Sequence, residues 1–386
     1  MNVLLVEPAF PVPAGRPGSA YLPIGLLKIA SYHRAQKDQV VLVRSPDLAP
    51  FYPDEIKVTS LFTYWSRWVW DSVAHYRAVY PKARIEVGGI YASLMPEHCA
   101  QSGCDEVAVG LYRGGVAEDM APAYDLVDSD FQVIHASRGC IRRCAFCGVW
   151  RVEPKSEYRE SIVDLIVKPR IVFYDNNLLA NPHVADILCE LGSFRFKDGR
   201  RVSCECQCGL DTRLLTPDLA LALKKARFRT PRISWDGAYS EWKRVRAAME
   251  MLETAGYERR NTYVFMLYNH DVPYSEMREK LEACRRWGLR VADCRYRPLD
   301  AVEDGYRPGP KPQSPHEYYT RPGWTDSQVR RFRRAVRQQN IAIMLRLPNN
   351  RYAPGCEQHL VGTPWWVTRK ADAQRSRDRR KRSDRA

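Results

Sequence analysis

Long apolar runs are absent from this chain of 386 residues. No uninterrupted apolar segment approaches the roughly 20 residues that a membrane-spanning helix needs, so we expect no membrane partner. Residues 1–10 contain no basic leader followed by a long apolar stretch, so no secretory signal is predicted. We therefore expect a cytoplasmic protein whose 12 cysteines are reduced thiols.

Acidic residues are scarce relative to basic ones. The chain has 45 Asp and Glu against 60 Lys and Arg, which gives a formal net charge of +15. Part of the excess lies in residues 369–386, predicted to be a disordered basic tail, and part in five arginines on a predicted helix: Arg330, Arg331, Arg333, Arg334 and Arg337. This balance favours a polyanionic partner such as a nucleic acid, and a solvated basic face is the alternative.

Short apolar runs alternate with helical patterns through the amino-terminal third of the chain. The runs occupy residues 2–6, 40–43, 56–61, 84–87 and 106–109. Such alternation is typical of α/β proteins, and it predicts a doubly wound, mainly parallel sheet in a domain of residues 1–110. A linker of residues 111–130, which contains glycine and proline, follows.

The same alternation continues in a second predicted domain, residues 131–300. Strands are expected at residues 131–136, 170–175, 201–208, 232–236, 262–268 and 289–296. The first leads directly into a loop with three cysteines, and each of the next four is followed by a helical pattern. Strand and helix units in this number predict a partial (β/α)6 barrel. A Pro- and Arg-rich extension of residues 301–368 comes next, either closing over the open end of the barrel or packing as a strap on its surface.

Three cysteines stand within one turn that follows the first of these strands. Cys140, Cys144 and Cys147 have the spacing C-x3-C-x2-C, with Gly139 before them and Gly148 after them. Glycines let the backbone curl so that the three sulfurs can face one centre. Three thiolates are one fewer than the four that close a structural zinc site or a cubic iron–sulfur cluster, so one metal position stays open for a ligand. Zinc binding and chance spacing are the alternatives.

This loop resembles the signature of radical S-adenosylmethionine (radical SAM) enzymes, C-x3-C-x-aromatic-C, with Phe146 as the aromatic residue. The resemblance implies a [4Fe-4S] cluster whose open iron binds the amino and carboxylate groups of SAM. It also implies a flavodoxin- or ferredoxin-like reductase partner and cleavage of SAM to a 5'-deoxyadenosyl radical. That radical would modify an unidentified substrate, for which a nucleic acid or nucleotide is one option.

The amino-terminal domain resembles the cobalamin-binding-like domain that precedes the catalytic domain in many radical SAM proteins. The matching residues are 21–27, the Val87-Gly88-Gly89 turn with residues 93–97 after it, and Val109-Gly110. The cobalamin-ligating motif D-x-H-x-x-G is missing, and residues 8–19 contain no histidine. We therefore favour a scaffold or substrate-binding lobe, and cobalamin binding is the less favoured reading.

Candidate SAM contacts follow from the rule that parallel barrels carry their chemistry at the carboxyl ends of the strands. The resemblance assigns the methionine amino group to the end of the second strand, where Asp175 is the favoured residue. It assigns ribose and carboxylate contacts to the ends of the third and fourth strands. The candidates, with Phe146, are Tyr174, Asp175, Asn176, Asn177, Gln207, Arg213, Asp236 and Gly237. The alternative role for each polar residue is to cap a helix or to form a turn.

Cys204, Cys206 and Cys208 invite a second-cluster hypothesis, but residues two apart on a strand form an extended row on one face, which suits core packing better. Two other function classes stay open. One is a cobalamin-dependent radical SAM methyltransferase. The other is a non-enzymatic nucleic-acid-binding protein with a structural metal site.

Overall fold

The amino-terminal part of the chain forms a five-stranded parallel sheet in a computed structural model that describes residues 1–11, 21–309 and 311–347. Its strands are β1 (Asn2–Glu7), β2 (Gln39–Arg44), β3 (Glu55–Ser60), β4 (Arg84–Gly89) and β5 (Glu106–Ala108), in the spatial order β2-β1-β3-β4-β5. The strand order reverses at β1, so β1 and β3 flank the point outside whose carboxyl ends ligands bind in sheets of this kind.

Helices cover both faces of this sheet, and successive side chains of its inner strand β1 point to opposite sides. On one face, Val3 and Leu5 pack against α1 (Ile24–Ala35). On the other face, Leu4 and Val6 belong to a separate buried cluster with residues of the remaining helices. Those helices are α2 (Ser66–Val79), α3 (Ile90–Leu94) and α4 (Pro96–Ala100). The predicted doubly wound arrangement is confirmed.

Six parallel strands follow in the second part of the chain, together with a short antiparallel pair. They are β6 (Phe131–Ile134), the pair β7 (Ser137–Arg138) and β8 (Glu157–Tyr158), then β9 (Arg170–Phe173), β10 (Ser203–Cys206), β11 (Arg232–Ser234), β12 (Tyr263–Tyr268) and β13 (Arg290–Arg295). The parallel strands form two sheets, β10-β9-β6 and β11-β12-β13. Isolated parallel bridges pair Leu210, after β10, with Ile233 of β11, and Cys204 of β10 with Phe228. The strand sequence agrees with the predicted one, and closure into a partial barrel stays a prediction.

The longer helices that alternate with these strands share one large core with them. The short helix α5 (Val149–Val152) has no buried residue, whereas the core contains residues of α6 (Val184–Ser193), α7 (Pro217–Lys225), α8 (Trp242–Thr254) and α9 (Tyr274–Trp287). Trp235, which is fully buried, stacks on Trp287 at 5.9 Å between ring centroids. Helix α9 ends at Gly288, whose φ of +71° is the left-handed conformation that favours glycine at a helix end. None of the helices in the described part of the chain is long and apolar enough to cross a membrane.

The chain after β13 forms a strap across the loop that follows β12. We define the strap as residues 311–325. The buried Asn269 donates to the Tyr319 carbonyl at 3.0 Å and accepts from the Arg321 amide at 3.0 Å. The Trp324 indole donates to the carbonyl of Val272 at 3.1 Å. These bonds hold the strap at the carboxyl end of β12, which is the edge where the chemistry of parallel sheets is expected.

Helix α10 (Asp326–Met344) follows the strap and packs on β13. Thr325 is its N-cap, and Thr325 and Gln328 form the reciprocal bonds of a capping box. Of its five arginines, Arg331, Arg334 and Arg337 are exposed, whereas Arg330 pairs with Asp326. The predicted tail of residues 369–386 and the end of the predicted extension lie outside the described residues. The predicted domain boundaries and the predicted nucleic-acid contact stay predictions.

Thr325→Ala should weaken the first turn of α10, because the backbone N–H of Gln328 loses the Thr325 hydroxyl that accepts from it. We expect the free energy of local opening to fall by about 1 kcal/mol. Amide hydrogen exchange across residues 326–332 should therefore become faster. Ser275→Ala is the matched control, since Ser275 is exposed in the first turn of α9 and its side chain caps nothing in the described structure. Unchanged exchange in Thr325→Ala would contradict the assigned cap.

Candidate functional site

The three predicted metal-binding cysteines lie on a loop that leaves the carboxyl end of β6. Gly139 has a φ of +69°, and a Cβ at this position would collide with the Lys155 carbonyl oxygen, so the turn requires glycine. The Cys147 amide donates to the Cys144 carbonyl at 3.0 Å, and the Trp150 indole donates to the same carbonyl at 3.2 Å. The loop is therefore internally braced around its middle cysteine.

Cys140, Cys144 and Cys147 are half-buried and free. Burial raises the pKa of the Cys144 thiol, and the nearby Cys147, Asp236 and Cys140 raise it further. Within the described ranges, no three His, Cys, Asp or Glu side chains lie close enough to share one metal ion. A cluster places its thiolates farther apart than a single ion does, because each sulfur binds a different iron. Three soft thiol donors on one loop fit iron–sulfur ligation.

Asp175 lies directly beneath the start of this loop and is fully buried. Its carboxylate accepts hydrogen bonds from the Ala136 amide at 3.1 Å, the Ser137 amide at 2.6 Å and the Ser137 hydroxyl at 2.6 Å. Burial raises the pKa of Asp175 to about 6, while these hydrogen bonds oppose the shift. Both oxygens are therefore engaged, and Asp175 supports the loop. A contact with the methionine amino group would require it to give up these bonds.

Glu153, which the sequence reasoning missed, braces the loop from its other end. Its carboxylate accepts from the Gly139 amide at 2.6 Å, from Arg138 at 3.0 Å and from the predicted SAM contact Asn176 at 3.1 Å. Glu153 follows α5 directly, so the chain returns to the glycine at which the loop begins. A carboxylate shortly after the third cysteine was the available sequence signal.

Asp211, which the sequence reasoning also did not identify, connects several polar side chains on the other side of the site. It is nearly buried and accepts from Arg142 at 3.1 Å, from Asn177 at 3.2 Å and from Arg213 at 2.7 Å. Burial acts to raise the pKa of Asp211, but Arg213 and Arg142 lower it below its usual value. The Asn177 Oδ1 atom is buried and has no hydrogen-bond partner among the described residues, so it can accept from a ligand.

Gln207 and Tyr174 lie apart from this network. The Gln207 side chain is exposed, and its amide donates to Glu205 at 3.3 Å. Tyr174 packs against the buried cluster of Phe131, Val133 and Val172, and burial raises its pKa to about 12. The structure therefore joins Asn176, Asn177 and Arg213 to the cysteine loop by hydrogen bonds or shared partners, whereas Gln207 has no such bond.

Asp236 follows β11 and forms no hydrogen bond or ion pair with any residue that the structure describes. Burial raises its pKa to about 6, and Lys280 opposes the shift. The Lys280 ammonium, fully buried on α9, donates to the carbonyls of Trp235 at 2.7 Å and Gly237 at 2.8 Å. A Cβ on Gly237 would lie 2.6 Å from the Glu241 carboxylate. Lys280 thus holds the backbone on both sides of Asp236 in place. The sequence reasoning did not identify Lys280.

Phe146 begins a row of aromatic rings that leads to the strap. Its ring centroid lies 5.7 Å from that of His270, which lies 4.4 Å from Tyr296. Tyr296 in turn lies 5.8 Å from Tyr319 of the strap. The aromatic residue of the cysteine motif therefore connects the loop to the carboxyl ends of β12 and β13.

The cysteines of β10 lie in the hydrophobic core. Cys204 and Cys206 are buried among apolar side chains, and burial raises the pKa of Cys204 to about 12. Protonated thiols in this setting act as small apolar side chains, as the sequence reasoning favoured.

Asp175→Asn should loosen the cysteine loop, because the new amide directs N–H groups at backbone donors that now bind an oxygen. We expect the free energy of unfolding to fall by about 2 kcal/mol. Iron reconstituted onto the protein should also be lost faster to a chelator. Asp186→Asn is the control, since Asp186 is exposed on α6. Equal iron retention in both variants would show that the loop does not depend on this carboxylate.

No protein-family model matches the chain, and no curated protein matches its sequence. Two solved structures of TsrM, a radical SAM methyltransferase from Kitasatospora setae, are similar in fold. The one with cobalamin and a [4Fe-4S] cluster bound has a TM-score of 0.59 and 15% identity, over 79% of this chain and 78% of that chain. The one with tryptophan substrate and the SAM analogue aza-SAM bound has a TM-score of 0.56 and 14% identity, over 75% and 72%. This chain therefore has the fold of a radical SAM protein with a cobalamin-binding-like domain, as its sequence predicted.

Proposed function

We propose that this protein is a radical SAM enzyme in which Cys140, Cys144 and Cys147 hold a [4Fe-4S] cluster. The observation that carries the proposal is the set of three free thiols on one braced loop, in a fold shared with a protein whose structure contains such a cluster. When bound, the cluster supplies the electron that cleaves SAM into methionine and a 5'-deoxyadenosyl radical. The radical would then abstract a hydrogen atom from the substrate.

The residues around the loop suit the polar groups of SAM. The unpartnered Asn177 Oδ1 is an acceptor for the methionine ammonium group, and it lies on the segment that the resemblance assigns to that contact. The Asp236 carboxylate, which has no partner in the described structure, is an acceptor for ribose hydroxyls. Lys280 holds the backbone on both sides of Asp236, so little reorganisation is needed when the ligand arrives.

Cobalamin-dependent methyl transfer is the second candidate function. The sequence reasoning disfavoured cobalamin because the ligating motif is missing, but that preference is not supported, since TsrM has cobalamin bound and shares this fold. At the carboxyl ends of β1 and β3 the chain also presents an aromatic cluster. Phe10 stacks on Trp65 at 5.3 Å, and the exposed Phe62 stacks on Tyr64 at 5.0 Å. A flat macrocycle could pack on such rings.

Anaerobic reconstitution with iron and sulfide tests the primary proposal. The wild-type protein should bind iron and labile sulfide in equal amounts, and with SAM and dithionite it should release 5'-deoxyadenosine. Cys144→Ala should lose both properties, because one iron loses its thiolate ligand. Cys189→Ala is the control, since Cys189 is an exposed thiol on α6. One equivalent of zinc without sulfide, or a full cluster in Cys144→Ala, would refute the proposal.

Corrinoid binding separates the two candidate reactions. If the second one is right, the protein should perturb the absorption spectrum of hydroxocobalamin, and Phe62→Ala should weaken this binding about fivefold, since it removes an exposed stacking surface. Tyr52→Ala is the control, because Tyr52 is a similarly exposed ring just before the amino end of β3. Tryptophan, the substrate in the TsrM structure, is the first methyl acceptor to assay. No spectral change at saturating corrinoid would remove this candidate.

A further inference from the structure

We propose that the exposed segment between Cys140 and Cys144, together with two arginines beside it, is the docking surface for a small acidic electron-carrier protein. This inference rests on the proposed function, because the carrier would deliver the electron that the cluster uses. We call the surface the basic rim. It consists of Ile141, Arg142, Arg143, Arg213 and Arg244.

Two residues of the basic rim are exposed to solvent and are neighbours in sequence of the proposed iron ligands. Ile141 is 50% exposed, and Arg143 is also exposed. Both residues lie between the first two cysteines of the motif, so a protein that touches them contacts the segment that joins two of the proposed iron ligands. Because electron-transfer rates fall steeply with distance, this is the favourable place for a carrier to bind.

The charge of the basic rim is positive even after its internal ion pairs are counted. Arg142 and Arg213 share the single carboxylate of Asp211, at 3.1 and 2.7 Å. Arg244 pairs with Glu241 at 2.9 Å and donates to Thr212 at 3.2 Å, which ties it to the same turn.

Arg143 forms no hydrogen bond or ion pair with any residue among 1–11, 21–309 and 311–347. Four guanidinium groups therefore face two carboxylates, which leaves a net positive charge of two, and Arg143 is the member of the basic rim without a carboxylate partner among the described residues. The shared Asp211 also holds Arg142 and Arg213 in place, so the positive surface is fixed in shape before a partner arrives.

These features select an acidic protein as the occupant. An apolar residue surrounded by charged ones is the usual anatomy of a protein–protein interface, and electron-transfer complexes are small and weak. Opposite charges accelerate such encounters and orient the partners. In the transfer itself one electron leaves the reduced flavin of the carrier and enters the cluster. No bond forms or breaks, so the rim has only to position the carrier.

The test uses reduced flavodoxin as the acidic carrier and the full-length protein. Arg143→Glu should weaken flavodoxin binding about tenfold at low salt in titration calorimetry, and the difference should shrink as salt is added. Arg334→Glu is the matched control, because it makes the same charge change at an exposed arginine on α10. Its affinity should equal that of the wild type. Ile141→Ser gives a second variant without a charge change, and circular dichroism checks that each variant is folded.

A second measurement separates this inference from the proposed function. The reduction rate of the reconstituted protein by flavodoxin should fall in Arg143→Glu, whereas its rate with dithionite should stay unchanged, because dithionite needs no docking surface. Equal flavodoxin binding and reduction in the wild type and Arg143→Glu would overturn the inference. So would equal losses in Arg143→Glu and Arg334→Glu, or a rim that binds an oligonucleotide and not flavodoxin. A wild-type protein that forms no cluster overturns the proposed function, while the calorimetry still tests the surface.

Discussion

The buried carboxylate of Asp175 is the interaction on which the candidate site depends. It binds the two backbone amides at which the chain leaves β6, so it sets the direction in which the cysteine loop departs from the sheet. A carboxylate that accepts several N–H groups in a dry environment is held strongly, because each bond is charge-assisted and no water competes. Glu153 then fixes the Gly139 amide, and the two acids together leave the loop little freedom.

The two parts of the chain are connected through the same region. Glu118, in the predicted linker, accepts from Lys28 of α1 at 3.0 Å and from Arg138 of the cysteine loop at 2.7 Å. Leu22 and Ile24, just before and within α1, pack against the buried cluster of Phe131, Val133 and Val172 on β6 and β9. The amino-terminal domain therefore contacts the strand that precedes the cysteines and the loop that carries them. Any ligand at the carboxyl ends of β1 and β3 would be held by a domain that is joined directly to the cysteine loop.

Much of the fold and part of the site could be predicted from the sequence. Alternating apolar runs predicted the parallel strands, and the glycine-bounded spacing of Cys140, Cys144 and Cys147 predicted that three thiols share one loop. Local patterns suffice for these features because they depend on neighbours a few residues away. The roles of Glu153, Asp211 and Lys280 could not be predicted in this way, since each acts on groups that only folding brings near. The sequence reasoning favoured Asp175 as a contact of the SAM amino group. In the structure, its carboxylate instead accepts hydrogen bonds from the backbone of Ala136 and Ser137.

By itself, the sequence determined the kinds of element, the order of the strands along the chain and the spacing of three thiols on a glycine-bounded turn. These depend on periodicity, backbone conformation and short-range chemistry, all of which are properties of consecutive residues. The tertiary structure decided which polar groups are consumed in holding the loop and which stay unpartnered, as at Asn177 and Asp236. It also decided that the residues between the first two cysteines face solvent. The physical reason is that burial and hydrogen bonding are settled by residues distant in sequence, which meet only when the strands and helices pack.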